Sequence, residues 1–275
     1  MQVSVEALAP EEQPRASATM TTMTRAGPEE QCDGLIALYE AKAKSQFDLN
    51  LLEAAIESAN LIQHDYRRGG TLKRIATHLV AAGANQRAYE LSGLIGISLD
   101  QSRAFKEVAA AMTRAGDSRA PMAFARALSA ARQIEDPSEG AGNQARALTE
   151  IAEELVRIKD AQATRILAEA LEDADRIAIT WQRFSIYTDI ATAWARLGDF
   201  DRVFQVALRI KNHRDDADEE EYRHGWLAEI ARLLVTLRMF DMAVEITGWI
   251  RDDPAQPEST WSTLLEIASA FARLA

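Results

Sequence analysis

The stretch AWARLGDFDRVFQVALRI at residues 193–210 contains the pattern that decides the fold of this chain. Apolar residues spaced three and four apart fill both of its ends, which is typical of amphipathic helices, and LGDFD lies between them. Glycine ends a helix readily because it adopts left-handed backbone angles, and an Asp that follows it can cap the next helix. The stretch therefore predicts two helices joined by a tight turn.

The same hydrophobic spacing returns in HLVAAGANQRAYELSGLI at residues 78–95 and in LLVTLRMFDMAVEITGWI at residues 233–250. Upstream of the turns, a β-branched residue followed by Ala forms an anchor pair that recurs at intervals of 33, 43, 39, 40 and 37 residues. The anchor pairs are Ile75-Ala76, Val108-Ala109, Ile151-Ala152, Ile190-Ala191, Ile230-Ala231 and Ile267-Ala268. A repeat of this length predicts a series of helical hairpins.

The residues around each anchor pair keep one apolar stripe on the first helix of the hairpin. A large apolar residue stands three positions before the β-branched residue and another four positions after it, as Leu72 and Leu79 do around Ile75. Positions three and four apart share one helix face. A hairpin cannot bury this face alone, so stacked copies keep their contact positions while exposed positions vary.

Charged residues also recur beside the stripe. An acidic residue directly precedes the anchor pair in five of the six units, and an Arg lies five or seven residues before it in five. We interpret these residues as solvated surface charges, which contribute well under about 1 kcal/mol each. The alternative is that they form ion pairs between neighbouring hairpins.

These patterns predict an all-α fold, a right-handed superhelix of stacked antiparallel helical hairpins with about 12–13 helices. Residues 1–30 lack periodicity and are rich in Pro, Ser, Thr, Met and Glu, so we expect a disordered leader. Residues 31–275 are expected to form a single α-solenoid domain of about six hairpins. Its last part, residues 257–274, is expected to be an unpaired closing helix.

The repeated unit resembles the tetratricopeptide repeat, a family of stacked helical hairpins of about 34 residues. The resemblance rests on the large residue, the anchor pair, the second large residue and a small residue twelve positions after the anchor Ala, as in Tyr187, Ile190-Ala191, Trp194 and Val203. Ala replaces the Gly that is usual in the anchor pair, the closing Pro is irregular, and the intervals are long and uneven. The resemblance covers residues 66–275 and implies a divergent member with the same architecture.

Composition excludes several classes of function. A net charge of −11 and a pI near 5.0 work against nucleic-acid binding, which depends on Lys and Arg neutralising phosphates. Cys32 is the only cysteine, so it forms neither an internal disulfide nor a zinc site. The sequence contains neither a secretory signal pattern nor a long apolar run, and we expect an acidic cytoplasmic protein without membrane insertion.

The motifs of common enzymes are missing from the sequence. The four histidines are scattered, and neither a zinc-protease helix, a phosphate-binding Gly-rich loop nor a serine-hydrolase elbow occurs. EGAGNQ at residues 139–144 is interpreted as a loop, and DDADEEE at residues 215–221 lacks the Gly of a calcium loop. We therefore predict that the protein is not an enzyme and holds no cofactor and no metal.

The candidate partner-binding residues lie mainly in the first halves of first helices, which commonly line the concave side of stacked hairpins. Trp249 belongs to a second helix at a position where other hairpins have mostly polar residues; we leave open whether it is exposed or packs against the C-terminal helix. For the aromatic residues of first helices, the alternative is that they fill gaps between hairpins. The candidates are Tyr66, Trp181, Arg183, Tyr222, Arg223, Trp226 and Trp249.

We expect a protein–protein interaction scaffold or adaptor that binds a peptide or helix of another protein on its concave face. The acidic charge of the chain favours a basic or neutral partner. Two alternatives remain open at this point. One is a small-molecule sensor or enzyme whose helices enclose a pocket, and the other is a homo-oligomeric structural subunit, with a homodimer contact at residues 118–135 or near Trp249.

Overall fold

The computed structural model describes residues 27–42, 49–135, 140–213 and 220–251, together with five residues between 265 and 273. The expected leader, most of the acidic run at 215–221 and most of the closing helix lie outside the described residues. The described ranges contain no strand. They form twelve helices: α1 (Pro28–Lys42), α2 (Leu49–Asn60), α3 (Asp65–Ala81), α4 (Asn85–Ser92), α5 (Ser98–Arg114), α6 (Ala120–Ala131), α7 (Gly140–Arg157), α8 (Gln162–Ala174), α9 (Thr180–Leu197), α10 (Phe200–Asn212), α11 (Glu220–Thr236) and α12 (Phe240–Arg251).

The helices pack in pairs within two compact units that divide between Gln133 and Ile134. In the first unit α1 packs with α2, α3 with α4 and α5 with α6, and α3 also packs against α5. In the second unit α7 packs with α8, α9 with α10 and α11 with α12, and α9 packs against both α7 and α11. The predicted all-α arrangement of helical hairpins is therefore confirmed.

The anchor pairs lie at the centre of this packing. In the five pairs from Ile75-Ala76 to Ile230-Ala231, every side chain is at most 1% exposed, and the large apolar residues that flank them are at most 4% exposed. The small anchor Ala lets a neighbouring helix approach closely, and complete burial of an Ile or Leu contributes about 1.5–3 kcal/mol. The predicted stripe is confirmed in these five hairpins.

The sixth anchor pair differs from the others. Ile267 lies outside the described residues, whereas Ala268 is exposed and Leu265 is 67% exposed. Ala268 therefore does not hold the buried position that Ala231 holds in α11.

The turns within five hairpins share one hydrogen-bonding pattern. A residue with positive φ ends the first helix, and the N–H of the following residue donates to the carbonyl oxygen of the large apolar residue four positions after the β-branched anchor; from Asp199 to Trp194 the distance is 3.1 Å. Asp199 then caps α10 by accepting a hydrogen bond from the backbone N–H of Arg202. The residues with positive φ are Gly83, Gly116, Lys159, Gly198 and Arg238.

Cys32 lies in the interface between α1 and α2. Its side chain is fully buried, and the thiol donates a hydrogen bond to the carbonyl oxygen of Ala55 at 3.4 Å. Loss of water around the thiol raises the pKa of Cys32 to about 12, with a further increase from Asp33 and a decrease from Arg74.

The shared turn predicts opposite effects of two substitutions. Gly198→Ala is expected to destabilise the fold by about 1 kcal/mol, because a Cβ is strained at positive φ. Lys159→Gly is expected to stabilise it by about 0.5 kcal/mol, because it relieves that strain at an equivalent turn. Urea denaturation followed by circular dichroism measures both effects, and equal shifts in the same direction would contradict the equivalence of the turns.

The buried thiol predicts slow chemical modification. At pH 8 a thiol reagent is expected to leave Cys32 of the native protein unmodified, because the side chain is inaccessible and remains protonated. The urea-unfolded chain serves as the control and should react completely. Rapid stoichiometric reaction of the native protein would show that the α1–α2 interface opens readily.

Candidate functional site

The predicted partner-binding residues are distributed over both units. Tyr66 lies on α3 of the first unit, and the other six lie in the second unit, on α9, α11 and α12. The backbone of Tyr222 belongs to α11, but its side chain lies outside the described residues. Among the six with described side chains, only Tyr66 and Trp181 are more than half exposed, at 72% and 56%.

Tyr66 and Trp181 occupy equivalent positions. Each is the second residue of its helix and lies ten positions before its anchor Ala. The preceding N-cap residues have nearly identical extended backbones, with φ −86° and ψ 111° at His64 and φ −84° and ψ 110° at Ile179. Ile179 is itself 40% exposed, so the beginning of α9 presents two large apolar side chains to solvent.

The remaining predicted residues are partly covered. Trp226 and Arg223 are half-buried on α11, and Arg223 takes part in an interaction within the structure. Trp249 is half-buried between neighbours on α10: its ring centroid lies 5.1 Å from that of Phe204, and the Nζ atom of Lys211 lies 4.3 Å above the ring. Trp249 therefore packs against the preceding hairpin through a contact that sequence reasoning missed.

Arg183 contributes to an open cleft of about 510 Å³ in the second unit. The cleft lies where α9 faces the last two turns of α10, and the end of α8 closes one side. Of its eight lining residues, the sequence singled out only Arg183 as a candidate site residue. The lining residues are Asp175, Arg183, Tyr187, Gln205, Leu208, Arg209, Asn212 and His213.

Two hydrogen-bonded groups organise the cleft. The hydroxyl of Tyr187 donates to Asp175, whose carboxylate also lies 3.5 Å from Nε of Arg209. Burial raises the pKa of Tyr187, and the hydrogen bond to Asp175 raises it further, so the phenol stays neutral. On the other side, Nη1 of Arg183 lies 3.2 Å from Nδ1 of His213.

A second charged surface runs across the first helices of the second unit. Glu150, Asp189 and Glu229 precede the anchor pairs of the adjacent helices α7, α9 and α11. The side chain of Asp189 is exposed, yet partial loss of its hydration raises its pKa. The positive charge of Arg146 opposes this increase, and the negative charges of Glu229 and Glu150 add to it. The carboxylates of these three helices therefore influence one another.

Glu153, one turn beyond Glu150, belongs to the same surface. Its carboxylate lies 3.6 Å from Nη1 of Arg196 on α9, so at least one ion pair joins neighbouring hairpins. Loss of hydration raises the pKa of Glu153, Arg196 opposes this increase, and Asp189 adds to it. Glu153 and Arg196 lie outside the recurring charged positions beside the anchor pairs, so this ion pair does not test the interpretation of those charges as solvated.

In the first unit the corresponding residues make contacts with neighbouring helices. Arg74 stands at the position that is acidic in the other units, and it pairs with Asp33 of α1 at 2.7 Å. The hydroxyl of Thr77 donates to the carboxylate of Glu107 on α5 at 2.6 Å. The row of mutually repelling carboxylates is thus a feature of the second unit.

Within the described ranges, no group of three or more His, Cys, Asp or Glu side chains is arranged to hold a metal ion. In the same ranges, no helix is both long enough and apolar enough to cross a membrane.

Comparison with known proteins adds no functional information. No family model matches the chain, and no curated protein matches it. A solved structure, the crystal structure of Ton1535 from Thermococcus onnurineus NA1, aligns over 98% of this chain and 87% of that chain at 15% identity. The TM-score of 0.32 means that this likeness supports no argument about fold or function.

The raised pKa of Glu153 predicts a pH-dependent effect of Glu153→Gln. The folded state disfavours the charged carboxylate, so removal of the charge should stabilise the protein at pH 7 by a few tenths of a kcal/mol. Below about pH 4 the wild-type side chain is protonated and the difference should vanish. Urea denaturation at both pH values measures the effect.

Glu154→Gln is the matched control for this measurement. Glu154 accepts a hydrogen bond from Arg157 within its own helix at 2.7 Å, so its replacement should give no stabilisation at pH 7. Destabilisation by Glu153→Gln at pH 7 would mean that the pair with Arg196 outweighs loss of hydration.

Proposed function

We propose that this protein is an interaction scaffold, a divergent protein of the tetratricopeptide-repeat type that binds a peptide or short helix of a partner protein. The observation that carries this proposal is the shared position of Tyr66 and Trp181. Each unit presents a large aromatic side chain at the second residue of a first helix, and both side chains are mostly exposed.

The exposure of these residues favours a binding role over gap filling. An aromatic side chain that fills space between hairpins is buried, as Trp194 is at 2% exposure on the same helix as Trp181. Aromatic residues supply a large contact area with few rotatable bonds and dominate the energetics of protein interfaces. Ile179 extends the apolar surface beside Trp181, which gives a bound segment a second contact.

The charges of the second unit indicate the chemistry of the partner. Glu150, Asp189 and Glu229 form a row across three adjacent helices. Loss of hydration is the main cause of the raised pKa of Asp189, Glu229 and Glu150 add to it, and a cation of the partner would offset these effects. A partner segment with one or two apolar anchors and nearby Lys or Arg residues fits this surface. We place the scaffold in the cytoplasm, where Cys32 remains a thiol.

Affinity capture with the full chain tests the proposal. Trp181→Ala is expected to abolish retention of a stoichiometric partner, whereas Val244→Ala, which alters an equally exposed apolar residue at 58%, should retain it. For the identified partner, titration calorimetry should show binding weakened by about tenfold or more in Trp181→Ala. Circular dichroism must show equal helicity in both variants.

The first unit provides a second comparison of the same design. Tyr66→Ala is expected to weaken partner binding, and Leu94→Ala, at 60% exposure, serves as its control. If Trp181→Ala and Tyr66→Ala each bind a partner as tightly as the wild-type protein does, these aromatic residues are not the anchors and the proposed surface is wrong.

A further inference from the structure

The polar cleft between α9 and α10 contains an excess of positively charged donors. Among the described residues that line it, Arg183 and Arg209 face one carboxylate, that of Asp175, while Tyr187 is neutral. These described lining residues have a net formal charge of about +1, with His counted as neutral, within a chain of net charge −11. The charge of the cleft is thus opposite in sign to the net charge of the chain.

Hydrogen-bond donors are also in excess at this position. The single carboxylate already accepts a hydrogen bond from the hydroxyl of Tyr187 and lies beside Nε of Arg209. The side-chain amides of Gln205 and Asn212 line the same cleft and add further N–H groups. The two guanidinium groups therefore carry more N–H donors than the carboxylate of Asp175 can accept.

Among the described residues, the hydrogen-bond partners of Arg183 are His213 and Thr180, and neither is a carboxylate. Its Nη1 atom lies 3.2 Å from His213 Nδ1 and its Nη2 atom donates to the hydroxyl of Thr180 at 3.4 Å. Within the described structure, none of the ion pairs includes Arg183, and its buried Nε atom has no hydrogen-bond partner. A half-buried guanidinium without a carboxylate gains free energy from an anionic ligand.

The buried ring of Phe184 holds two of the lining residues, Tyr187 and His213, in place. Phe184 is 1% exposed and stacks on Tyr187 with 6.1 Å between ring centroids, and its ring meets that of His213 edge to face at 5.4 Å. The site is therefore built on packed aromatic rings rather than on flexible loops.

We infer that this cleft binds a small organic anion through its carboxylate or phosphate group, with Arg183 and Arg209 as the charged donors. The planar guanidinium matches both groups by paired N–H donors. A volume of about 510 Å³ accommodates a small metabolite-sized ligand, and Leu208 supplies an apolar contact for its carbon skeleton.

Chemical-shift titration of the full chain with inorganic phosphate and, separately, with succinate tests this inference at constant ionic strength. At least one anion should produce saturable shifts in the backbone amides of residues 205–213. Phosphate binding alone assigns a phosphate-bearing ligand, succinate binding alone assigns a carboxylate-bearing one, and binding of both supports the shared chemistry.

Three variants locate the bound anion. Arg183→Gln and Arg209→Gln should each weaken binding by about tenfold or more, because each removes hydrogen bonds to a charged ligand. Arg183→Lys keeps the charge without the planar fork and should fall between the wild type and Arg183→Gln.

Arg176→Gln is the matched control. Arg176 is 66% exposed, pairs with Asp173 at 2.9 Å and lies one residue from Asp175 without lining the cleft. Its replacement should leave the anion affinity unchanged. The inference is overturned if neither anion gives saturable shifts at residues 205–213, or if Arg176→Gln weakens binding as much as Arg183→Gln does.

The anion site is independent of the proposed partner-binding surface. The variants at Trp181 and Tyr66 leave the lining of the cleft intact, and the anion titration contains no partner protein. If the wild-type chain captures no partner but gives saturable anion shifts, the partner proposal alone has failed. If it captures a partner but gives no saturable anion shifts, the anion site alone has failed.

Discussion

Close packing at the anchor pairs is the constraint on which the rest of the structure depends. A β-branched residue and an Ala, both buried, place each first helix against its neighbours in five hairpins. The same stripe also determines the turn, because the backbone carbonyl of its last large residue accepts the hydrogen bond from the residue after the positive-φ position. Helix packing and chain reversal are therefore specified by one short segment.

Once the stripe is fixed, the exposed positions of a first helix are fixed as well. On α9, Trp194 belongs to the stripe and is 2% exposed, whereas Trp181 lies outside it and is 56% exposed. Arg183, two residues beyond Trp181, contributes to the cleft beside α10. One helix thus contributes a core residue, an exposed aromatic side chain and a charged cleft residue, and its register determines which residue has which role.

The sequence predicts the fold well because the fold depends on local periodicity. The spacing around Ile190-Ala191 and the Gly at 198 are both visible in the sequence, and both are confirmed. Lys159 shares the positive φ of Gly198, which its identity does not indicate, and the N–H of the next residue, Asp160, closes the turn by donating to the carbonyl oxygen of Leu155. The residue type at the positive-φ position is therefore a less reliable sign of such a turn than the buried stripe that precedes it.

The candidate site is only partly predictable for the opposite reason. Asp175, Arg183 and Arg209 belong to three segments whose separations in sequence follow no motif, and only packing of α9 with α8 and α10 brings them together. The contact of Trp249 with Phe204 likewise joins two hairpins. An exposed position within one helix can be read from its register, whereas a cleft between helices requires the tertiary structure.

The hairpin pairing also has a consequence for how the chain folds. The pairs described in each unit join helices that are adjacent, or one helix apart, along the chain. Short closures lose little entropy, and proteins with mainly local contacts have low contact order and fold quickly. Hairpins near the N-terminus can therefore reach their native packing while later ones are still being synthesised, before long apolar stretches accumulate in an unfolded state.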